Sequence, residues 1–332
     1  MLRSPMDCAF EDFRRVSKVS LPPSEQILWN SLINKQTSRA DYVWIDDAKI
    51  IRSKIMIISG SIQGISELPL EEYSSKYTLR PVSLFDNIDP NENHVLVLCE
   101  MADLHLAKPS YKENKRQAYK KIILSDKVVT MDLLFEIEQE FTFKECVDML
   151  DFHISKCHAI IEAFGKSCVN ALIPICSITY KSSHNECWSY KIGPCTGRQA
   201  ADMLWVSRFI ISRISQELDM TITFEPLNTV ASGEYPAEEY RPSTKYRFSS
   251  GNMRDRAKTA IYMETCYSKF LKYSEYDQKS LEDVYGRGCL YSLDLIRICH
   301  SAGKRVYIED GRPSGYSDPY DVISYIIKKC FL

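Results

Sequence analysis

The chain has 332 residues; 42 are lysine or arginine and 44 are aspartate or glutamate, giving a formal net charge of −2. At about 150 residues per domain, that length makes two domains or one large one. Hydrophobic residues at 45% and charged residues at 26% exclude a disordered chain, and the near-neutral balance argues against a dedicated nucleic-acid binder, which carries a basic surplus.

No stretch reaches the roughly 18 uncharged apolar residues of a membrane span, so no membrane partner is expected. Residues 1–15 carry Asp7, Glu11 and Asp12 and have no apolar block, which does not match a secretory signal. The 12 cysteines are scattered, with no Cys-x-x-Cys pair, so the spacing of a structural zinc site is missing. The expectation is a cytoplasmic protein with reduced thiols, several of them serving as small core hydrophobes.

In chain order, Ser24 after Pro22-Pro23 is an N-cap that opens a helix over 24–33. Residues 42–46, 54–58 and 95–100 read as strands, the last preceded by a turn-rich stretch at 87–91. A basic amphipathic helix follows over 112–124, its Lys112, Lys115, Arg116, Lys120 and Lys121 reading as a solvated face or a phosphate contact. Residues 135–142 alternate with period two. That puts Glu136, Glu138 and Glu140 on one strand face and Phe135, Ile137, Gln139 and Phe141 on the other. Further helices are expected over 148–164, 199–219, 258–273 and 320–329. Strands are expected over 188–192 (ended by Gly193-Pro194), 220–225, 245–248, 293–298 and 306–309. His153 and Cys157 are four apart on the first of these helices and lack the second pair a zinc site needs. Periodicity thus gives an α+β protein, a small N-terminal sheet domain followed by a larger one whose strands carry carboxylates.

Six segments, in order, resemble the glutamine synthetase family. They are Tyr42-Val43-Trp44-Ile45-Asp46; Leu96-Val97-Leu98-Cys99-Glu100; Glu138-Gln139-Glu140-Phe141-Thr142; Trp188-Ser189-Tyr190-Lys191-Ile192-Gly193-Pro194-Cys195 with the stretch from Asp202 to Ile210; Phe248-Ser249-Ser250; and Tyr307-Ile308-Glu309-Asp310-Gly311-Arg312-Pro313-Ser314. The fourth and sixth are similar to the eukaryotic-type branch, and the resemblance spans about residues 40–330. It implies a β-grasp domain over 1–105 and a catalytic-type α/β domain over 106–332. It also implies ATP-dependent joining of glutamate and ammonia through γ-glutamyl phosphate, with Mg or Mn clamping the phosphates on hard carboxylate ligands. Because the family completes its active-site funnel with a neighbouring subunit, the resemblance further implies a ring of subunits.

Carried over residue by residue, the resemblance makes Glu138, Glu140 and Glu309 metal-ligand positions. Tyr307 and Ser249 fall beside the nucleotide base, and Arg297 and Arg312 near phosphate. Each of these residues has a plainer reading as a solvated strand face or a packing residue. The departures are heavier. Two further ligand positions are Ser182 and Ser189, with Glu186 nearby but out of register. A ligand histidine is Lys245, whose ammonium offers a metal no lone pair. The glycine-rich substrate loop is missing from 232–241, the catalytic aspartate loop from 72–77 and the flap from 280–293, and the arginine after Glu309-Asp310 is Gly311. Disturbing even an outer partner of a metal ligand costs about 10–100-fold. Fold residues kept while ligands erode imply a catalytically inactive or impaired homologue with a structural or regulatory role, assembling as a homo-oligomer or with an active paralogue. Two alternatives stand beside it: an active glutamate–ammonia ligase with a divergent site, and a residual nucleotide binder.

Overall fold

The structure, a computed structural model, describes residues 37–86, 94–103, 115–144, 150–182, 187–225, 242–250, 256–276, 278–286, 289–290, 292–300 and 306–332. Within them, two sheets and seven helices make a mixed α+β fold. The helices are α1 (Lys115–Ile123), α2 (Asp126–Val129), α3 (Leu150–Asn170), α4 (Gly197–Glu217), α5 (Arg256–Tyr276), α6 (Gln278–Tyr285) and α7 (Pro319–Cys330). The chain divides into two compact units that interleave in sequence: 1–114, 144–173 and 206–221 form one, and 115–143, 174–205 and 222–332 the other. The helix expected over 24–33, the turn at 87–91 and the loop at 232–241 lie outside the described residues.

The first unit holds a five-stranded sheet of β1 (Thr37–Ile45), β2 (Ile51–Ser59), β3 (Glu71–Glu72), β4 (Tyr77–Phe85) and β5 (His94–Asp103), in the order β2-β1-β5-β4-β3. β1 and β5 run parallel; the other neighbours are antiparallel. β5 is central and reads as a near-continuous apolar run. One face of the sheet builds a core from Ala40, Tyr42, Trp44, Leu79, Val97 and Cys99. β4 was not expected from the sequence because it carries Pro81, which donates no hydrogen bond; the pairing with β5 slips between Pro81 and Ser83 to absorb it. Asp41 is buried in this unit. Burial alone would raise its carboxyl pKa, but His94, Arg39 and Arg213 beside it hold it well below the usual carboxylate range.

The second unit holds a seven-stranded sheet: β6 (Leu133–Lys144), β7 (Ile175–Ser182), β8 (Cys187–Thr196), β9 (Thr221–Thr223), β10 (Thr244–Ser250), β11 (Ile296–His300) and β12 (Val306–Asp310). The order is β11-β12-β10-β6-β8-β7, with β9 also paired to β6. The expected alternation of β6 is present: Phe135, Ile137, Gln139 and Phe141 are all fully buried. Phe135 stacks on Phe248 at 6.0 Å between ring centroids, and Phe141 meets Tyr190 and Phe224.

β8 does not stop at Gly193-Pro194 as expected. It passes through that cis peptide and pairs with β6 as far as Thr196. Gly193 makes this possible: its φ is +108°, and a Cβ there would lie 2.5 Å from the Phe135 carbonyl oxygen. The basic helix α1 is only partly a solvated face. Arg116 grips Asp202 with two hydrogen bonds of 2.8 and 2.9 Å, and Lys115 pairs with Asp318 and Asp321, while Lys120 and Lys121 are exposed. All ten described cysteines are free thiols, and eight of them are buried. Cys157 is one of these; the His153 side chain lies outside the described residues.

Candidate functional site

On the side of β6 opposite its aromatic core, Glu136, Glu138 and Glu140 project at intervals of two residues. Strand register decides what each one meets. Glu138 has Lys191 of β8 as its neighbour on one side and Lys245 of β10 on the other. Arg247 of β10 stands between Glu136 of β6 and Glu309 of β12. Glu140 lies across from Ser189 of β8.

The side chains close these pairs. Lys181 Nζ, from β7, lies 2.6 Å from Glu138 Oε1, and Lys191 Nζ lies 3.6 Å from Glu138 Oε2. The Ser189 hydroxyl donates to Glu138 Oε1 at 3.1 Å. Glu140 Oε2 accepts from both the backbone N–H and the hydroxyl of Ser243, at 3.0 and 2.8 Å, while Lys245 Nζ lies 3.3 Å from Oε1. Arg247 donates through Nε to Glu309 and through Nη1 to Glu136, the latter at 2.9 Å. Glu138 and Glu140 are nonetheless buried, at 5% and 8% exposure. Four carboxylates thus face four cations across five strands.

The electrostatics follow from this geometry. Burial would raise the Glu138 carboxyl pKa, but the hydrogen bond from Lys181 and the charges of Lys245, Lys181 and Lys191 overcome that and hold it at about 2. Burial would lower the Lys181 ammonium pKa, and Glu138 and Glu140 raise it instead. Arg247 is likewise driven upward by Glu309 and Glu136 against its burial. All of these groups are held in their charged forms.

Beside this network a cleft of about 230 Å³ is lined by Leu134, Glu136, Pro194, Arg247, Ser249 and Tyr307, among others. The Arg247 guanidinium lies 5.4 Å from the centre of the Tyr307 ring. Burial is the main influence lifting the Tyr307 phenol pKa. Pro194, read from sequence as a turn residue, is part of this wall.

The structure therefore gathers Glu138, Glu140 and Glu309 on one sheet face, and Tyr307 and Ser249 in one adjoining cleft. Of the two remaining arginines, Arg297 is the register neighbour of Glu309 on the adjoining strand β11, whereas Arg312 does not join the face. Arg297 is exposed on the edge strand β11, where its Nε donates to the Asp294 carbonyl at 3.2 Å. Arg312 is fully buried. It spends Nε and Nη2 on Asp310 and Nη2 also on the Tyr285 hydroxyl, with the Phe270 and Tyr285 rings 5.3 and 5.1 Å away. Its immobilisation in that core cluster is the physical reason it does not reach the cleft.

Lys181, Lys191 and Arg247 were not singled out from the sequence. Their only signal was the i, i+2 spacing of Lys245 and Arg247, which shows a shared face but not the strand it faces. Glu186 and the Ser182 side chain lie outside the described residues.

Divalent cations do not fit the residues described. Among them, no three histidine, cysteine or acidic side chains form a group able to hold a metal ion, and each acid of the face is ion-paired to a lysine or arginine. Among the described residues, no helix is long and apolar enough to cross a membrane.

No family model matches the chain. Curated proteins do. It is 26% identical to glutamine synthetase 2 cytoplasmic of Drosophila melanogaster, covering 93% of this chain and 92% of that protein. It is 28% identical to glutamine synthetase 1, mitochondrial, of the same organism (89% and 84%), and 25% identical to the glutamine synthetase of Emericella nidulans (89% and 93%).

Proposed function

The chain is a divergent member of the glutamine synthetase family, and from that premise we propose that it is a non-catalytic homologue with a structural or regulatory role. One observation carries the reading: the Glu138–Glu140 pair is already neutralised by Lys181, Lys191 and Lys245. In the reading the resemblance gives, Glu138, Glu140 and Glu309 are the remnants of the metal-ligand positions. A divalent ion about 4 Å from one fixed ammonium meets repulsion of about 8 kcal/mol at an effective dielectric constant near 20. That equals the whole free energy of a micromolar binding site. Serine at 189 donates a hydrogen bond where the resemblance calls for a carboxylate ligand.

In this reading residues 1–105 act as the β-grasp domain and 106–332 as the catalytic-type domain of a cytoplasmic protein that assembles with copies of itself or with an active paralogue. The test is γ-glutamyl hydroxamate formation by the purified full chain with glutamate, hydroxylamine, ATP and Mg or Mn. No product above a heat-inactivated control is expected. Turnover at a rate typical of enzymes, ~1 s⁻¹ or faster, restores the alternative of a working glutamate–ammonia ligase with a divergent site. Light scattering after size exclusion tests the assembly; a monomer removes it.

A second reading has its own observation in the cleft. Tyr307, Ser249 and Arg247 together offer an aromatic face, a hydroxyl and a guanidinium, which suits a purine nucleotide bound without turnover. Calorimetry with ATP in the absence of divalent metal tests it, and an absence of heat at several temperatures removes it.

A further inference from the structure

The misfit between this sheet face and divalent metal has a definite architecture. Three lysines arrive from three strands, β7, β8 and β10, and converge on two carboxylates of the strand between β8 and β10. We infer that Lys181, Lys191 and Lys245 are tethered replacements for divalent cations, supplying from the chain itself the positive charge that keeps Glu138 and Glu140 together in a buried face. The inference rests on the non-catalytic reading and goes beyond it by assigning the lysines a role.

Two buried carboxylates two residues apart on one strand repel each other unless a counter-charge lies between or beside them. Lys245 is placed to serve both, as register neighbour of Glu138 and ion-pair partner of Glu140. A mobile metal would meet that need only while its free concentration exceeded its dissociation constant. A side chain meets it at every metal concentration.

The surroundings of Lys245 carry the same signature. A Cβ placed on Gly311 would lie 3.6 Å from Lys245 Cγ, an ordinary van der Waals contact, so the two positions are neighbours. Position 311 is where the family resemblance calls for arginine.

The test uses the full chain, MnCl₂ as probe and the electron paramagnetic resonance signal of free Mn²⁺ as readout, with unfolding temperature measured in Mn²⁺ and in EDTA. The wild type is expected to leave the free-ion signal unchanged and to unfold at the same temperature in both. Lys181→Met/Lys245→His, which strips two ammonium groups and installs an imidazole donor in place of one, is expected to remove Mn²⁺ from solution at least about tenfold more tightly than the wild type and to be stabilised by it.

Mn²⁺ retention by the wild type within about tenfold of that variant overturns the inference, as does a folded double variant that gains no binding. If the double variant fails to fold, Lys245→His alone is measured, and a folded single variant that gains nothing overturns it equally. The wild-type arm requires no variant. Mn²⁺ held without hydroxamate formation defeats this inference alone, whereas hydroxamate formation defeats the non-catalytic reading, so the two fail separately.

Discussion

The two faces of β6 are built from alternating residues of one strand and obey different constraints. On one face Phe135, Ile137 and Phe141 sit fully buried against Phe248, Tyr190 and Phe224, as in any packed core. On the other, Glu136, Glu138 and Glu140 are set among Lys181, Lys191, Lys245 and Arg247. The apolar face is constrained by volume, which few substitutions preserve. The polar face is constrained by charge balance, which a lysine satisfies as well as a metal ion does. A strand can therefore keep its place in the fold while its outward chemistry is exchanged, because the period of two separates the requirements.

The comparison is broken most severely from the apolar side. Phe141→Ala is expected to cost about 3–5 kcal/mol, through lost burial and an unfilled cavity, in denaturant unfolding followed by circular dichroism. A cost below about 1 kcal/mol would mean the face is not packed as described.

On the polar side the effect is smaller and conditional. Lys181→Met leaves the buried Glu138 short of its hydrogen-bonded partner and is expected to cost about 1–2 kcal/mol, discounted because the lysine is 34% exposed. Adding Glu138→Gln removes the uncompensated charge, so the double variant is expected to recover most of that loss. Simple additivity of the two single changes would show that the pair does not act as a unit.

Acid sharpens the same contrast. The Glu138 carboxyl is held at about 2, below its ordinary value of 4.5. Its contribution to stability is therefore full above pH 4.5 and is lost as pH falls from there toward 2. Unfolding free energy measured across that window is expected to fall more steeply with decreasing pH in the wild type than in Glu138→Gln, whereas Phe141→Ala keeps the wild-type slope. The smallest effect belongs to Arg297, exposed at the sheet edge: Arg297→Ala is expected to change stability by less than about 0.5 kcal/mol in the same unfolding assay.

The sequence carried much of this fold because periodicity reports which face is apolar. The alternation of β6, the long apolar-sided α4 and the N-capped α7 were all expected close to their observed bounds. β7 and β4 were not, since one mixes polar and apolar residues without a clear period and the other contains a proline. α6, only eight residues long, is too short to show a helical repeat.

For the site, the acids at 138, 140 and 309 were visible as a pattern, and their partners were not. Which lysine stands beside Glu138 depends on the register between β6, β8 and β10, and no local signal in any one strand encodes it. Arg312 shows the converse: its motif is legible, but the bond to Asp310 and the aromatic rings around it fix it in the core.

The pairing of acids with bases on this face has an effect beyond its own hydrogen bonds. Each ion pair nearly cancels its own monopole, so its field falls off faster than that of a lone charge, and salt screens what remains within about one Debye length, ~8 Å at physiological ionic strength. These pairs themselves therefore do little to draw in a polyphosphate or turn it away at long range. If a nucleotide uses the Tyr307 cleft, these ion pairs add little salt dependence to its arrival, unlike a surface of one sign.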